Sequence, residues 1–487
     1  MRWSDQLSHG PILIFIVCVY LFIGGLYAVY TPAWQAPDEP AHYNYVRYLA
    51  ENGRFPVLHY GDYPHAYLEQ IKAARFPPDM PVESIRYEFW QPPLYYMLAT
   101  PVYRLFGGAL MPLRLLSLAF GAGVVVMAYA IASAWRPGDT TLALGAAAFV
   151  AFVPMHLTMM ASVNNDALAE LLLAVVILRL MRLTVQPADR GQAVFRLSDP
   201  IITGLLLGLG LVTKATVYVA IPLALIALAL SQRRPMWLGR AALALFGPAL
   251  ALAIPWYVRN LAVYGWPDLL GTRNHAAVVV GQLRTADYLA AVGWVVYLKD
   301  LATTSFHSFW GQFGWMAVPM DGRIYLGLGL LSALMAVGCV MVIWKRKGLE
   351  GWKDGRLVGL WLAFTSLMYL YYNLSLVQFQ GRYLFPALVP IGLWGVLGLR
   401  EILSRRWMWI GVGVCVAGGL IVGAAGLLRG DLDGWDLLIT GGVMLVLVVR
   451  RWLPARLDGW VLAAPFAGLA GLSVHSLFAL IVPYLRP

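Results

Sequence analysis

The chain has 487 residues, 60% of them hydrophobic and only 13% charged, with a mean hydropathy of +0.68. A soluble globular chain carries about 25% charged residues, so this composition excludes a water-soluble domain and calls for a lipid environment. The net charge of +11 does not make nucleic acid an expected partner, because the basic residues fall in short runs between apolar segments (Arg233–Arg234, Lys345–Lys347, Arg405–Arg406, Arg450–Arg451) and not on a polar, aromatic-interleaved surface.

About 20 apolar residues cross a hydrocarbon core, and lipid forces each such segment into a helix. The expected fold class is therefore all-α: a polytopic bundle of about 13 transmembrane helices, with about 11 to 14 possible. In chain order the spans fall near 11–30, 111–134, 141–160, 163–183, 200–213, 215–230, 236–256, 324–344, 357–376, 383–399, 407–428, 435–449 and 460–484. The first is longer than a signal-peptide core and is expected to be a retained anchor. Residues 200–230 are interrupted by Thr213-Lys214. Read as two short helices, they keep all the basic runs on the cytoplasmic side; one long helix would reverse every later loop, so two are expected. Cys18, Cys339 and Cys415 sit in apolar segments and read as small hydrophobes.

With the N-terminus in the cytoplasm, two long loops fall outside, at about 31–110 and 257–323. Loops of this length are usually functional. In the first, Asp38 to Gly53 is expected to be a helix, with Pro40 early and Gly53 after the last periodic residue. His42, Tyr45, Val46 and Leu49 share one face of it. Pro92 to Phe106 is expected to be a second, amphipathic helix, Tyr-rich and suited to the interface.

The sharpest cluster of ionisable residues is Pro37-Asp38-Glu39-Pro40-Ala41-His42. Two carboxylates at a helix N-terminus have their charged form favoured by the helix dipole. They serve equally well as a cap and solvated turn or as a general base at the membrane rim. Asn164-Asn165-Asp166 opens the fourth span, where Asp166 either caps the helix or lines a cavity. Lys214 either snorkels to the interface or holds a phosphate as a point charge. Arg382, beside Tyr383, is an external cation at a helix entrance and fits a phosphate or lipid head group; Arg259 and His275 are weaker candidates. His59 and His65 make only a poor metal pair. There is no Walker or dinucleotide glycine loop and no Gly-x-Ser-x-Gly, so no cofactor is expected. The glycines of Gly204–Gly210 are expected to allow close helix packing.

Pro37-Asp38-Glu39-Pro40-Ala41-His42 resembles the acidic signature of the GT-C membrane glycosyltransferases, and Trp90-Gln91-Pro92-Pro93-Leu94-Tyr95-Tyr96 resembles their second loop motif, with Gln91 where His or Lys is more usual. Asn165-Asp166 and the Gly-rich span ending at Thr213-Lys214 are similar to the same superfamily. Ser308–Trp315 and Gln380–Pro386 resemble its DUF2142-like bacterial branch. The resemblance assigns residues 1–400 to a GT-C-like catalytic domain and leaves 401–487 as less distinctive transmembrane helices. It implies transfer of a sugar, with inversion, from a polyprenyl-phosphate carrier to a glycan, lipid or protein acceptor outside the bacterial plasma membrane. It also implies Asp38 as the base, with Glu39 and His42 orienting it or touching the acceptor. Lys214, Arg382 and Arg259 would be the cations for the phosphate, and no metal is implied, since the acidic pair is adjacent rather than Asp-x-Asp. Two other readings stand beside it. A transporter or flippase of lipid-linked sugars would place charge at the midplane, and a non-catalytic scaffold of cell-envelope glycan assembly would scatter these residues.

Overall fold

The structure is a computed structural model that describes residues 10–184, 197–231, 235–345, 355–430 and 433–487. It is helical almost throughout; among the described residues the strands are Gln312–Phe313 and Val318–Pro319, a small antiparallel hairpin with Gln312 opposite Pro319. Each expected span coincides with helix. Seven of the described helices are long and apolar enough to cross a membrane by themselves. The stretch 141–160 is a bent pair, Thr140–Phe152 and Pro154–Met160, meeting at 68°. The bend lies at Val153, which is extended (φ −68°, ψ 116°) because the residue before a proline is pushed out of the helical region.

Residues 200–230 form two short helices, Ser198–Leu211 and Ala220–Leu230, joined through Lys214 and a 3₁₀ turn at Ala215–Val219. Gly204 lets the first of them lie against Pro235–Tyr264, since a Cβ there would stand 2.0 Å from the Leu245 carbonyl oxygen. Such close backbone approach at small residues is how helices pack in lipid. The basic pair Arg233–Arg234 and the residues Arg346 and Lys347 lie outside the described residues.

The first span, Gly10–Tyr30, turns Ile14, Phe15 and Phe22 outward and buries Tyr20 and Tyr27. The end of the chain returns to it: the Tyr27 hydroxyl donates to the Ser473 carbonyl (2.7 Å), and Gln35 Nε2 donates to the Leu485 carbonyl (3.0 Å). In the first loop the two expected helices run Glu39–Asn52 and Leu94–Leu105, inside the expected bounds, with a further helix, His65–Ala73, between them; His42, Tyr45, Val46 and Leu49 are all buried.

The stretch 257–323, expected as the second external loop, is largely helical. The helix Pro235–Tyr264 runs beyond residue 256, and Thr272–Val278 and Thr285–Trp310 follow as helices. The last is kinked at Gly293 (φ 74°, ψ 168°). Trp294, Val295, Val296 and Leu298 just after the kink are exposed. This segment is helical without being continuously apolar, so hydropathy alone does not reveal it.

Candidate active site

The site begins with how the chain leaves the first span. Glu39, the first residue of helix Glu39–Asn52, is fully buried and takes Arg114 Nε and Nη2 on its two oxygens at 2.7 and 2.6 Å. Backbone amides of Trp34 and Val163 complete its hydrogen bonding. Asp38 then occupies the N-cap position in the left-handed region (φ 69°, ψ −7°), and its side chain makes no cap hydrogen bond. Aspartate tolerates that conformation better than most residues. The turn sends the Asp38 carboxylate away from its own helix. Oδ1 accepts from the Tyr87 hydroxyl (2.6 Å) and Oδ2 from Arg382 Nη2 (2.7 Å).

Arg382 is brought there by a tight packing of chain segments. Gly381 abuts the helix Thr285–Trp310: a Cβ would stand 2.2 Å from the Ser305 carbonyl oxygen, and its amide donates to Ser308 Oγ at 2.7 Å. Gln380 Oε1 accepts from Arg382 Nε (2.7 Å), and the guanidinium lies 5.2 Å from the Tyr383 ring centroid. The two sequence stretches Ser308–Trp315 and Gln380–Pro386 thus meet at this point. Trp315 closes the near wall, its indole donating to the Trp34 carbonyl at 2.9 Å.

On the far wall, Lys214 Nζ lies 2.7 Å from Asp166 Oδ1. Asn164, not Asp166, serves the helix start, its Oδ1 accepting from the Asp166 amide at 2.8 Å. Asn165 Nδ2 points to Gln91 Oε1 (3.4 Å) and the Thr213 carbonyl (3.3 Å), so it ties the Gln91 turn to the Lys214 turn. His42 Nδ1 is 2.8 Å from the Tyr96 hydroxyl.

These groups surround one cavity of about 390 Å³. Of the residues singled out in the sequence, Asp38, His42, Gln91, Lys214, Arg382 and Tyr383 line it. Asn165 and Asp166 stand behind the lining as supports. Glu39 and Arg259 are elsewhere. Glu39 is saturated by Arg114, as described. Arg259 stacks 4.6 Å from the Trp256 ring centroid and donates to the carbonyl of Pro56 and to Asn260 Oδ1. Its charge is spent on holding the first loop against the helix Pro235–Tyr264. His275 and His65 do line the cavity, and so do Tyr87 and Glu88, to which no sequence signal points.

The electrostatics of the pocket are uneven. Burial by itself would raise the Asp38 carboxyl, but Arg382, Tyr87 and His42 together outweigh it and hold the group down at about 2. Burial and the Lys214 charge lower His42 to about 3, and burial lowers His275 to about 4, so both imidazoles are neutral at pH 7. Glu88 goes the other way: burial first, then the charge of Asp38, raise it to about 7. An ionised carboxylate, a guanidinium and an ammonium in one cavity can bind an oxyanion and receive a proton at neighbouring points. Among the described residues no group of three or more His, Cys, Asp or Glu side chains is placed to hold a metal ion.

The fold is a polytopic helical bundle with long helical loops gathered over this cavity. The structure is similar to ArnT from Cupriavidus metallidurans solved with bound undecaprenyl phosphate (TM-score 0.56, 16% identity, covering 98% of this chain and 77% of that one). The apo state of the same ArnT matches at TM-score 0.56 and 17% identity, covering 96% of this chain and 77% of that one. It is also similar to the Archaeoglobus fulgidus oligosaccharyltransferase tethered to an acceptor peptide (TM-score 0.54, 12% identity), covering 97% of this chain but only 56% of that one. At these identities the likeness is one of fold. The chain belongs to the family described as "Predicted membrane protein (DUF2142)", which matches residues 86–391, well over half of its length. No curated protein matches it.

Proposed function

We propose that this protein is an inverting glycosyltransferase of the plasma membrane. It moves a sugar from a polyprenyl-phosphate carrier to an extracytoplasmic glycan, lipid or protein acceptor, with Asp38 as general base. The observation that carries this reading is the placement of Asp38, Arg382 and Lys214 around one cavity. The bound lipid phosphate of the similar ArnT structure supports it. The N-terminus is on the cytoplasmic side in this reading, as the basic runs require.

The chemistry needs little else. The acceptor oxygen attacks the anomeric carbon from the face opposite the phosphate, and its proton passes to an Asp38 oxygen. The bond from the anomeric carbon to the phosphate oxygen breaks with its electron pair moving onto that oxygen. Phosphate leaves readily, so no acid partner is required, and Arg382 and Lys214 stabilise the charge that develops on it. Without donor, Arg382 holds Asp38 at about 2, too low for a good base. A phosphate that shares the guanidinium adds negative charge beside Asp38 and raises its affinity for a proton. The donor therefore activates the base.

The test is chemical. Purified protein in liposomes is given undecaprenyl-phosphate sugars and envelope extract as the acceptor source, and release of free undecaprenyl phosphate is followed. Release that requires both components supports transfer. Head-group translocation without release would make the protein a transporter instead.

A further inference from the structure

Glu88 has no part in the transfer just described. It precedes the helix Leu94–Leu105, is only 9% exposed, and lines the same cavity as Asp38. Its Oε2 is sealed inside the protein with no hydrogen-bond partner among the described residues, so the carboxyl can meet a ligand in the cavity only through its other oxygen. A buried carboxylate is costly unless it is paired, and the nearby cations are already engaged. Of the cations lining the cavity, Arg382 is held by Asp38 and Gln380, Lys214 by Asp166, and Lys72 by Glu69. Charged and titratable groups share the cavity lining with Glu88: Asp38 and His42 at the start of helix Glu39–Asn52, Tyr63, His65, Glu69, Lys72 and Tyr87 from the rest of the first loop, and Lys214, His275, Arg382 and Tyr383 from later segments, with Asp166 behind Lys214. From its own turn, the Gln91 amide donates to the Glu88 backbone carbonyl at 3.0 Å, while the Gln91 side chain accepts from Asn165.

We propose that Glu88 is a further ligand-binding group of this cavity: a carboxylic acid that keeps its proton and donates it, in a hydrogen bond, to an oxygen of the donor's phosphate head group. This rests on the lipid-phosphate donor reading above. A neutral acid is what the site accommodates, because a third full negative charge beside Asp38 and Asp166 would repel the phosphate that Lys214 and Arg382 attract. Burial and the Asp38 charge place its titration at about 7, and a bound phosphate raises it further. Donor binding and proton retention at Glu88 then strengthen each other reciprocally.

Binding of undecaprenyl phosphate alone tests this without knowledge of sugar or acceptor. Wild type, Glu88→Gln and Glu88→Asp in lipid nanodiscs are titrated with undecaprenyl phosphate by calorimetry, in two buffers of different ionisation heat, between about pH 5.5 and about pH 8.5. The side-chain amide of Glu88→Gln is neutral, similar in shape and still a donor. It is expected to match wild type at the acid end and to bind about tenfold more tightly at the alkaline end, as a shift of one pKa unit requires. The phosphate's own titration is common to both proteins and cancels in the ratio. On binding near pH 7 to 7.5, wild type should take up about half a proton more than Glu88→Gln, and Glu88→Asp should retain the pH dependence. A wild-type to Glu88→Gln ratio that is flat with pH, with equal proton uptake, overturns the inference and leaves the donor reading intact. A wild type that binds no undecaprenyl phosphate at any pH overturns the donor reading itself and the inference with it.

Discussion

Asp38 and Glu39 are adjacent in the chain, yet their carboxylates serve different surroundings. Glu39 is fully buried against Arg114, while Asp38 reaches Arg382, 344 residues away, and keeps 24% of its side chain accessible. The left-handed turn at Asp38 produces the divergence. The buried pair fixes the start of the helix, and that anchored start sets where Asp38 points.

Glu39 is therefore expected to act through stability. Removing one partner of a buried ion pair costs about 3–5 kcal/mol, because the other charge is left uncompensated. Thermal unfolding in detergent should show a large loss for Glu39→Gln and for Arg114→Met, with part of it regained in the double variant. Normal unfolding of Glu39→Gln combined with lost transfer would instead make Glu39 a group of the site.

The cations should separate by position. Lys214→Met and Arg382→Lys are expected to weaken undecaprenyl phosphate binding by about 10- to 100-fold, from hydrogen bonds to a charged group worth about 1.5–3 kcal/mol. Arg382→Lys belongs in this set because an ammonium loses the fork geometry of the guanidinium. Arg259→Ala, which removes a stack on Trp256 outside the cavity, should leave that affinity within about twofold. Equal losses at all three positions would argue for a diffuse charge effect.

The stability of the ligand-free protein should report Glu88 through pH. Its folded value of about 7 lies above its ordinary value of 4.5. The folded state thus holds the proton more tightly. The associated stability is present below about 4.5 and is lost as pH rises through about 7. Glu88→Gln has no proton to lose, so its melting temperature should gain on wild type between about pH 4.5 and about pH 8. A constant offset across that range would contradict the burial of an unpaired acid at this position.

Much of this was legible in the sequence because lipid imposes simple rules. Length and hydropathy located the spans, and the Pro40 and Gly53 signals bounded the first-loop helix to within a residue. Short motifs pointed to Asp38, Gln91, Lys214 and Arg382, all of which line the cavity. Glu88 was not legible: Arg86-Tyr87-Glu88-Phe89 reads as an ordinary polar loop, and only burial with no cation to spare sets it apart. Glu39 and Arg259 were misplaced for the opposite reason, since a charged residue beside a motif reads the same whether it faces a cavity or a structural partner such as Arg114 or Trp256. The helix Thr285–Trp310 escaped because Gly293 breaks its period and its composition is mixed.

The central claim is that Asp38 receives the acceptor's proton. Its most direct test compares Asp38→Asn with wild type in liposomes, measuring turnover by release of undecaprenyl phosphate from the sugar-bearing lipid. General-base catalysis is worth about 10²–10⁴-fold, so the variant should lose turnover by that factor while still inserting in the membrane and still binding undecaprenyl phosphate. Turnover within about twofold of wild type would show that another group takes the proton.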